Sequence, residues 1–385
     1  MEGLSGLKQF VQFHYDMYRD CPYAVPFLFT DEMNTLRSDR NAAFECCEAD
    51  YFMAYKDGKA VGRVAAIINH RANQRWQRQQ VRFGWLDFID DTEVSRALLE
   101  TVEQWGRERG MTEIAGPLGF TDMDREGLLI EGFNEDATMY INYNYPYYQQ
   151  HIEQFSDQRS ECGGAVGGFE KDNDYMEYKV KVPEVVPDKF HKIAQMVSKR
   201  YNLQVHKFTR KELLDGCKGR EIFGIINATY KDLYGYSQLS DRQINQLVDE
   251  YIKMADLNLV TGIEDWNTPD HQLIGFGITF PSFTSALRKT RDGRMLPFGW
   301  WHLLRTLKWH KTKVVDLLLI GVLPEYRAKG ANSLIFDDLI QWFQRYGFEY
   351  AEAMPQMESN EGVRSQWQYL EARIHRRHRC YRKNL

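Results

Sequence analysis

The chain has 385 residues, 49 Lys and Arg against 54 Asp and Glu, and a formal net charge of −5. That length is too great for one small core and suits two domains of ordinary size. With 43% hydrophobic and 27% charged residues the composition excludes a disordered chain, and its mild acidity argues against non-specific nucleic-acid binding, which needs a basic field.

No apolar run reaches the ~18 residues of a membrane span. The longest candidate, Val314 to Leu323, is interrupted by Asp316 and suits a buried strand. The N-terminal MEGLSGLKQF lacks the basic-then-apolar plan of a signal peptide. The six cysteines form no CxxC pair and no Cys/His ligand spacing, so reduced thiols, a cytoplasmic location, no membrane partner and no metal are expected.

In chain order, helical spacing marks residues 7–19. Tyr51–Tyr55, the Asp57-Gly58 turn and Val61–Asn69 read as a β-hairpin. Phe83–Ile89 is a strand. In the helix at 92–109, Leu98, Leu99, Val102 and Trp105 share one face. Thr112–Gly116 is the next strand, and 158–168 reads as a flexible loop. Tyr175–Val182 alternates like a strand, and Pro183 and Pro187 bracket a linker before a helix at 188–200. Helices follow at 220–233 and 240–254, then a hairpin of Leu259–Glu264 with Leu273–Phe280. Val314–Val322 is a buried strand, 331–346 a helix, Tyr350–Met354 a strand, 360–371 a helix and 374–382 a closing strand.

The second half repeats the plan of the first. Gln104, Trp105 and Gly110 recur as Gln341, Trp342 and Gly347, each 237 residues on. The repeated unit is strand, helix, glycine, strand, and it implies a duplicated domain.

The segment richest in chemistry is 317–341, LLLIGVLPEYRAKGANSLIFDDLIQ. A strand ends at Val322, Pro324 stops the ladder, and Arg327-Ala328-Lys329-Gly330-Ala331-Asn332 leads into an amphipathic helix. A helix N-terminus presents unpaired N–H groups and a positive dipole end to an anion. Gly330 permits close backbone approach, and Arg327 and Lys329 add charge. These are the parts of a pyrophosphate site.

Here the sequence resembles the GNAT (GCN5-related N-acetyltransferase) family, whose acyl-CoA motif runs strand, Arg/Gln-x-x-Gly-x-Gly/Ala, helix. Arg327 and Gly330 match it; Asn332 stands where the family has Gly or Ala. The resemblance implies that Val322, Arg327–Asn332 and Asn360, which opens the next helix, bind acetyl-CoA or another acyl-CoA. Many members carry a tyrosine seven residues after that Asn as acid for the leaving thiolate. This chain has Trp367 there, with Tyr369 two residues on, and Tyr369 is the candidate acid. Glu352, on the strand beside the cofactor helix, is the candidate base for the acceptor ammonium.

Further matches extend the resemblance over nearly the whole chain, to bacterial tandem-GNAT proteins of this length. They include Asp57–Arg63, Phe83-Gly84, Gly116-Pro117 and Gly127–Phe133. The implied fold class is α/β (α+β), with two tandem GNAT-like domains, each a mixed, mostly antiparallel sheet flanked by helices. Residues 1–182 form a degenerate domain without the phosphate loop, and 183–385 the domain with it. In the first copy Asp90-Asp91-Thr92-Glu93 stands opposite the phosphate loop, and these carboxylates read as helix caps rather than ligands.

Other polar clusters read more simply as structure. Asp122, Asp124, Arg125 and Glu126 follow a strand in a polar loop, Tyr140–Tyr148 suits core or interface packing, and Gly299-Trp300-Trp301-His302 precedes a helix. The expected function is a CoA-dependent N-acyltransferase, most simply acetyl, acting on a small-molecule or peptide amine in a cleft shaped by both domains. A non-catalytic acyl-CoA-binding protein and an aminoacyl-tRNA-dependent transferase are the alternatives; the second needs a basic groove for tRNA. The oligomeric state has no signal in the sequence.

Overall fold

The computed structural model describes residues 3–154, 168–186, 188–215, 217–233, 235–360, 362, 366–367 and 370–385. Tyr369, most of the loop expected at 158–168 and part of the helix expected at 360–371 lie outside them.

The first half begins with α1 (Gly3–Met17) and α2 (Phe29–Thr35). A hairpin of β1 (Cys47–Lys56) and β2 (Lys59–Asn69) follows. Its turn residues Asp57 and Gly58 have φ of 52° and 74°, the left-handed pair that a two-residue hairpin loop requires. Next come α3 (His70–Trp76), β3 (Gln80–Phe88), α4 (Thr92–Arg107), β4 (Glu113–Gly116), β5 (Leu128–Glu131), α5 (Tyr147–Gln154) and β6 (Glu170–Lys181).

The second half runs α6 (Asp188–Tyr201), β7 (Leu203–His206), α7 (Arg210–Leu214), α8 (Lys218–Tyr230), α9 (Asp241–Met254), β8 (Val260–Asp265) and β9 (Gln272–Pro281). It continues with α10 (Thr284–Leu287), α11 (Gly299–Trp309), β10 (Val314–Val322), α12 (Pro324–Arg327), α13 (Asn332–Tyr346), β11 (Tyr350–Met357) and β12 (Ala372–Asn384). The duplicated glycines have matching roles: Gly110 (φ 76°) ends the turn after α4 and Gly347 (φ 71°) is the left-handed cap of α13.

The strands form one sheet in the order β1-β2-β3-β4-β12-β6-β11-β10-β9-β8-β7, with β5 paired to β12. The two expected sheets therefore join edge to edge. The C-terminal β12 lies antiparallel to β4 (Tyr381↔Gly116), and β6 of the first half lies antiparallel to β11 (Tyr350↔Lys181). β12 and β6 also pair with each other, so neither inner edge is left as an open row of backbone groups.

Helices cover both faces. α4 packs Leu98, Leu99 and Val102 on β2 and β3, and α1 covers the opposite face through Phe10 and Val11. In the second half α13 and α6 share one core, in which Ile335, Leu339 and Phe343 are buried; each such side chain contributes ~1.5–3 kcal/mol. On the other face α8 and α9 build a core that also takes Leu129, Ala137, Ile141 and Tyr143 from the first half. The tyrosine run is largely packing. Tyr143, Tyr145, Tyr147 and Tyr148 meet ring to ring in sequence, edge to face, stacked and tilted in turn, and the Tyr148 hydroxyl accepts from the Phe88 N–H at 3.0 Å.

Candidate functional site

β10 and β11 run parallel and pair only from Val314↔Tyr350 to Leu317↔Ala353, although β10 continues to Val322 and β11 to Met357. Two irregularities accompany the parting. The register of β10 on β9 shifts between Leu317 and Leu319, and that of β11 on β6 shifts between Ala353 and Gln356, around Pro355. Beyond Leu317 the strands splay, and their backbone groups no longer bond each other.

A cavity of about 160 Å³ fills this gap, walled by Leu317, Leu319, Leu339, Met357 and Trp367. A larger cavity of about 490 Å³ adjoins it over the N-terminus of α13. Tyr230, Leu233, Ile320, Phe336 and Asn360 line both. The two spaces form one path, from a helix N-terminus along the free edge of β10 into an apolar chamber.

At the outer end, Val322, Arg327, Gly330, Asn332 and Asn360 line the larger cavity, so five of the eight expected binding residues meet there. Gly330 has φ +80°, a conformation that L side chains rarely adopt. Ala331 caps α13 without any side-chain hydrogen bond; the Ser333 and Leu334 N–H groups bond the Gly330 and Ala331 carbonyls at 3.0 and 3.1 Å, which leaves those of Ala331 and Asn332 for an anion. The Asn332 Oδ1 is buried with no hydrogen-bond partner among the described residues. Arg327 is held by two backbone carbonyls: its Nε donates to Val322 O at 3.1 Å and a terminal nitrogen to Thr229 O at 3.2 Å.

The side chains of the other three expected residues do not line the cavity. The Ala328 side chain is exposed, Ala331 is packed in the α13 core, and the Lys329 ammonium sits over the Tyr326 ring at 4.1 Å. The uncapped helix start, the positive-φ glycine and the guanidinium still fit a diphosphate, and the apolar chamber fits an acyl group.

Glu352 does not line either cavity. Period-2 alternation puts Ala351 and Ala353 on the α13 face of β11 and Glu352 on the other. There its carboxylate accepts from Arg376 at 2.9 Å, and Arg376 also binds Glu177 at 2.9 Å. His378 lies 2.6 Å from Glu177. Burial pushes the Glu177 carboxyl up, but Arg376 and His378 overcome this and hold it down at about 2. Burial raises the Glu352 carboxyl against the pull of Arg376. Its register partner Asp316 is held well above the usual carboxylate range by burial and by Glu352.

The titratable side chain at the junction is Tyr230, at the C-terminus of α8. Among the described residues lining both cavities it alone carries an ionisable group. Burial pushes its hydroxyl up to about 12, partly offset by the nearby Arg327 cation, and the hydroxyl donates to the Ile320 carbonyl at 3.1 Å. Sequence reasoning missed it because Tyr230 is 97 residues from Arg327 and belongs to no motif. Trp367, at the position where a tyrosine was sought, is structural: its Nε1 donates to Gln356 at 3.1 Å and its ring packs on Phe336.

Among the described residues the first half has neither feature. β3 and β4 pair from Gln80↔Glu113 to Arg82↔Ala115, but the Leu118 N–H then donates to Phe83 O at 2.9 Å and closes the gap with backbone. The N-terminus of α4 is capped, Asp91 accepting from the Glu93 N–H at 3.0 Å and bonding Lys56 at 2.7 Å. The loop at 122–126 is pinned inward, with Asp124 accepting from the Thr121 N–H at 3.0 Å and Arg125 bonded to the buried Glu32.

No protein-family model matches the chain. Protein YghO of Escherichia coli (strain K12) is 26% identical over 389 residues, covering 99% of this chain and 93% of that protein. A bacterial ceramide synthase of Caulobacter vibrioides is 24% identical over 341 residues, covering 86% and 81%. Among solved structures, a tandem GNAT protein from the clavulanic acid biosynthesis pathway superposes with a TM-score of 0.54 at 11% identity, over 99% of this chain and 96% of that one. The fold is the tandem GNAT fold expected from the sequence.

Proposed function

We propose that this chain is an acyl-CoA-dependent N-acyltransferase whose second half binds the donor and whose first half is structural. The observation that carries the reading is the continuity of the uncapped α13 N-terminus with the gap between β10 and β11. Arg327 and the N–H groups of Ala331 and Asn332 receive the diphosphate. The unpaired edge of β10 receives the amide-bearing arm, and the thioester comes to rest beside Tyr230.

The chemistry asks little of the protein beyond placement and proton supply. The acceptor enters as a free amine, having lost its ammonium proton to solvent. Its nitrogen bonds the acyl carbon as the carbon–sulfur bond breaks, and the proton that nitrogen then sheds passes to solvent. Tyr230 gives its proton to the departing thiolate and recovers one from solvent. The high pKa of Tyr230 keeps that proton in place at neutral pH.

The acyl group we propose is longer than acetyl. An apolar cavity of about 150 Å³ accepts a ring the size of benzene, and the chamber behind the junction is of that order at about 160 Å³. The ceramide synthase relative supports a fatty acyl donor and an amino-alcohol acceptor, since a ceramide is an amide of that kind.

Calorimetry of the full chain with CoA, acetyl-CoA and octanoyl-CoA tests this, with Gly330→Glu as control. Micromolar binding that is tightest for octanoyl-CoA and lost in the variant is expected. Release of free thiol on adding a long-chain amino alcohol then reports turnover. No binding of any CoA species would overturn the reading. Binding without turnover across amines would leave an acyl-CoA-binding protein, a reading that Trp367 in place of the family tyrosine favours.

A further inference from the structure

The connection between β9 and β10 carries surface unlike the rest of the molecule. Residues 284–313 hold eight Lys and Arg and one Asp, a net charge of +7 in a chain whose total is −5. The same stretch holds the largest concentration of exposed apolar side chains. Leu296 is 76% exposed and Phe298 70%, with Met295, Trp300, Trp301 and Trp309 each above 40%.

The helix has two distinct faces. Leu303 and Leu307 of α11 turn inward onto the core below, and Thr306 is buried. The outward face repeats at i, i+4 and i+8: Trp300, Leu304 and Lys308, then Trp301, Arg305 and Trp309. Trp301 meets Trp309 edge to face at 5.7 Å. Lys289, Arg291, Arg305, Lys308 and Lys311 make no ion pair with a described residue, whereas Arg288 and Arg294 are tied down, to Asp136 and Asp292. The inner contacts also fix the platform: the Phe29 N–H donates to Gly293 O at 3.2 Å, and Arg294 lies over the Phe29 ring at 4.1 Å. The exposed aromatic groups are thus displayed on a docked scaffold.

We propose that α11 and the loop before it are the face by which this protein docks on an anionic lipid surface. Indole rings flanked by cations are the chemistry of the bilayer interface, where the rings sit at headgroup depth and the cations meet phosphate. The helix is 11 residues long, ~16 Å, so it lies in the interface and does not cross it. No described helix is long and apolar enough to span a membrane. The remainder of the chain carries a net charge of −12, which turns the basic face toward the lipid and the rest away from it. A second copy is a poor occupant: a two-fold contact through this face would set the five cations without ion pairs among the described residues against the same five on the other copy. The sequence-based expectation of no membrane partner rested on the lack of a span, which does not speak to a face of this kind.

Flotation of the full chain with vesicles tests the proposal independently of any enzymatic activity. The protein should float with vesicles of equal parts phosphatidylglycerol and phosphatidylcholine, and not with phosphatidylcholine alone. Raised salt should release it. Arg305→Glu and Lys308→Glu should each lower the affinity at least ~fivefold, and Trp300→Ser with Trp301→Ser should abolish flotation while the melting temperature stays within a few degrees. Flotation that ignores lipid charge, or that survives all four substitutions, would overturn the proposal. So would sedimentation showing a dimer that the tryptophan substitutions disperse.

Discussion

The Tyr230 hydroxyl donates a 3.1 Å hydrogen bond to the carbonyl of Ile320, in the part of β10 that β11 no longer pairs. Strand parting frees that carbonyl, and the phenol occupies the vacated side, at the junction of the two cavities. Tyr230→Phe should leave CoA affinity within about twofold and lower kcat ~10²-fold or more. The wild-type rate should hold on the alkaline side until pH approaches 12, where the phenol ionises. A Phe variant with the wild-type rate would remove Tyr230 from the acid role.

Gly330 controls the diphosphate end. An added Cβ would meet only Val197, at 3.4 Å, so the strain comes from the backbone at φ +80°. Left-handed conformation costs an alanine about 1–2 kcal/mol. Gly330→Ala should therefore weaken CoA about tenfold, and Gly330→Glu, which adds a like charge, should abolish binding. Equal affinity in all three proteins would place the diphosphate elsewhere.

Asp91 offers the contrasting case. It caps α4 at the position that corresponds to the phosphate loop. Asp91→Ala should cost ~1 kcal/mol of stability in urea titrations and leave the CoA isotherm unchanged. A weaker isotherm would bring the first half into donor binding.

Arg376 holds two buried carboxylates, those of Glu177 and Glu352. Removing one partner of a buried ion cluster leaves uncompensated charge, at a cost of about 3–5 kcal/mol. Arg376→Met should lower the urea midpoint accordingly, and adding Glu352→Gln should restore part of the loss. A single variant as stable as wild type would show that the cluster is dispensable.

Asp316 makes stability depend on pH in the opposite sense to a paired carboxylate. Burial and Glu352 raise its pKa in the folded state. Its contribution is fully present below the usual carboxylate pKa. Above that pH the unfolded chain ionises while the folded one does not, and stability falls until the folded pKa is reached. Asp316→Asn removes this dependence. The variant should equal wild type near pH 4 and exceed it increasingly toward pH 8, each ~1 kcal/mol raising Tm by about 2–4 °C. A gain that shrinks with rising pH would contradict the assignment.

Local pattern determined much of this protein. The Asp57-Gly58 hairpin, the strand at Val314–Val322, the helix behind Gly330 and the 237-residue repeat are all present as read, because each depends on neighbours a few residues away: turn dihedrals, apolar periodicity, a glycine at positive φ. The cap at Asp91 was legible for the same reason.

Only the tertiary structure decided the rest. The joining of the halves through β12 and β6 is a matter of which sheet edges meet, and alternation along β11 gives two faces without saying which one, Glu352's or that of Ala351 and Ala353, turns to the cavities. Tyr230 reaches the junction from a helix in no motif, and the exposed tryptophans of α11 look in sequence like any core aromatic groups. The physical reason is common to these cases. A residue's chemistry is carried by its own side chain, but its burial, its partner and its access to a ligand are set by segments distant in sequence, brought close only when the chain has folded.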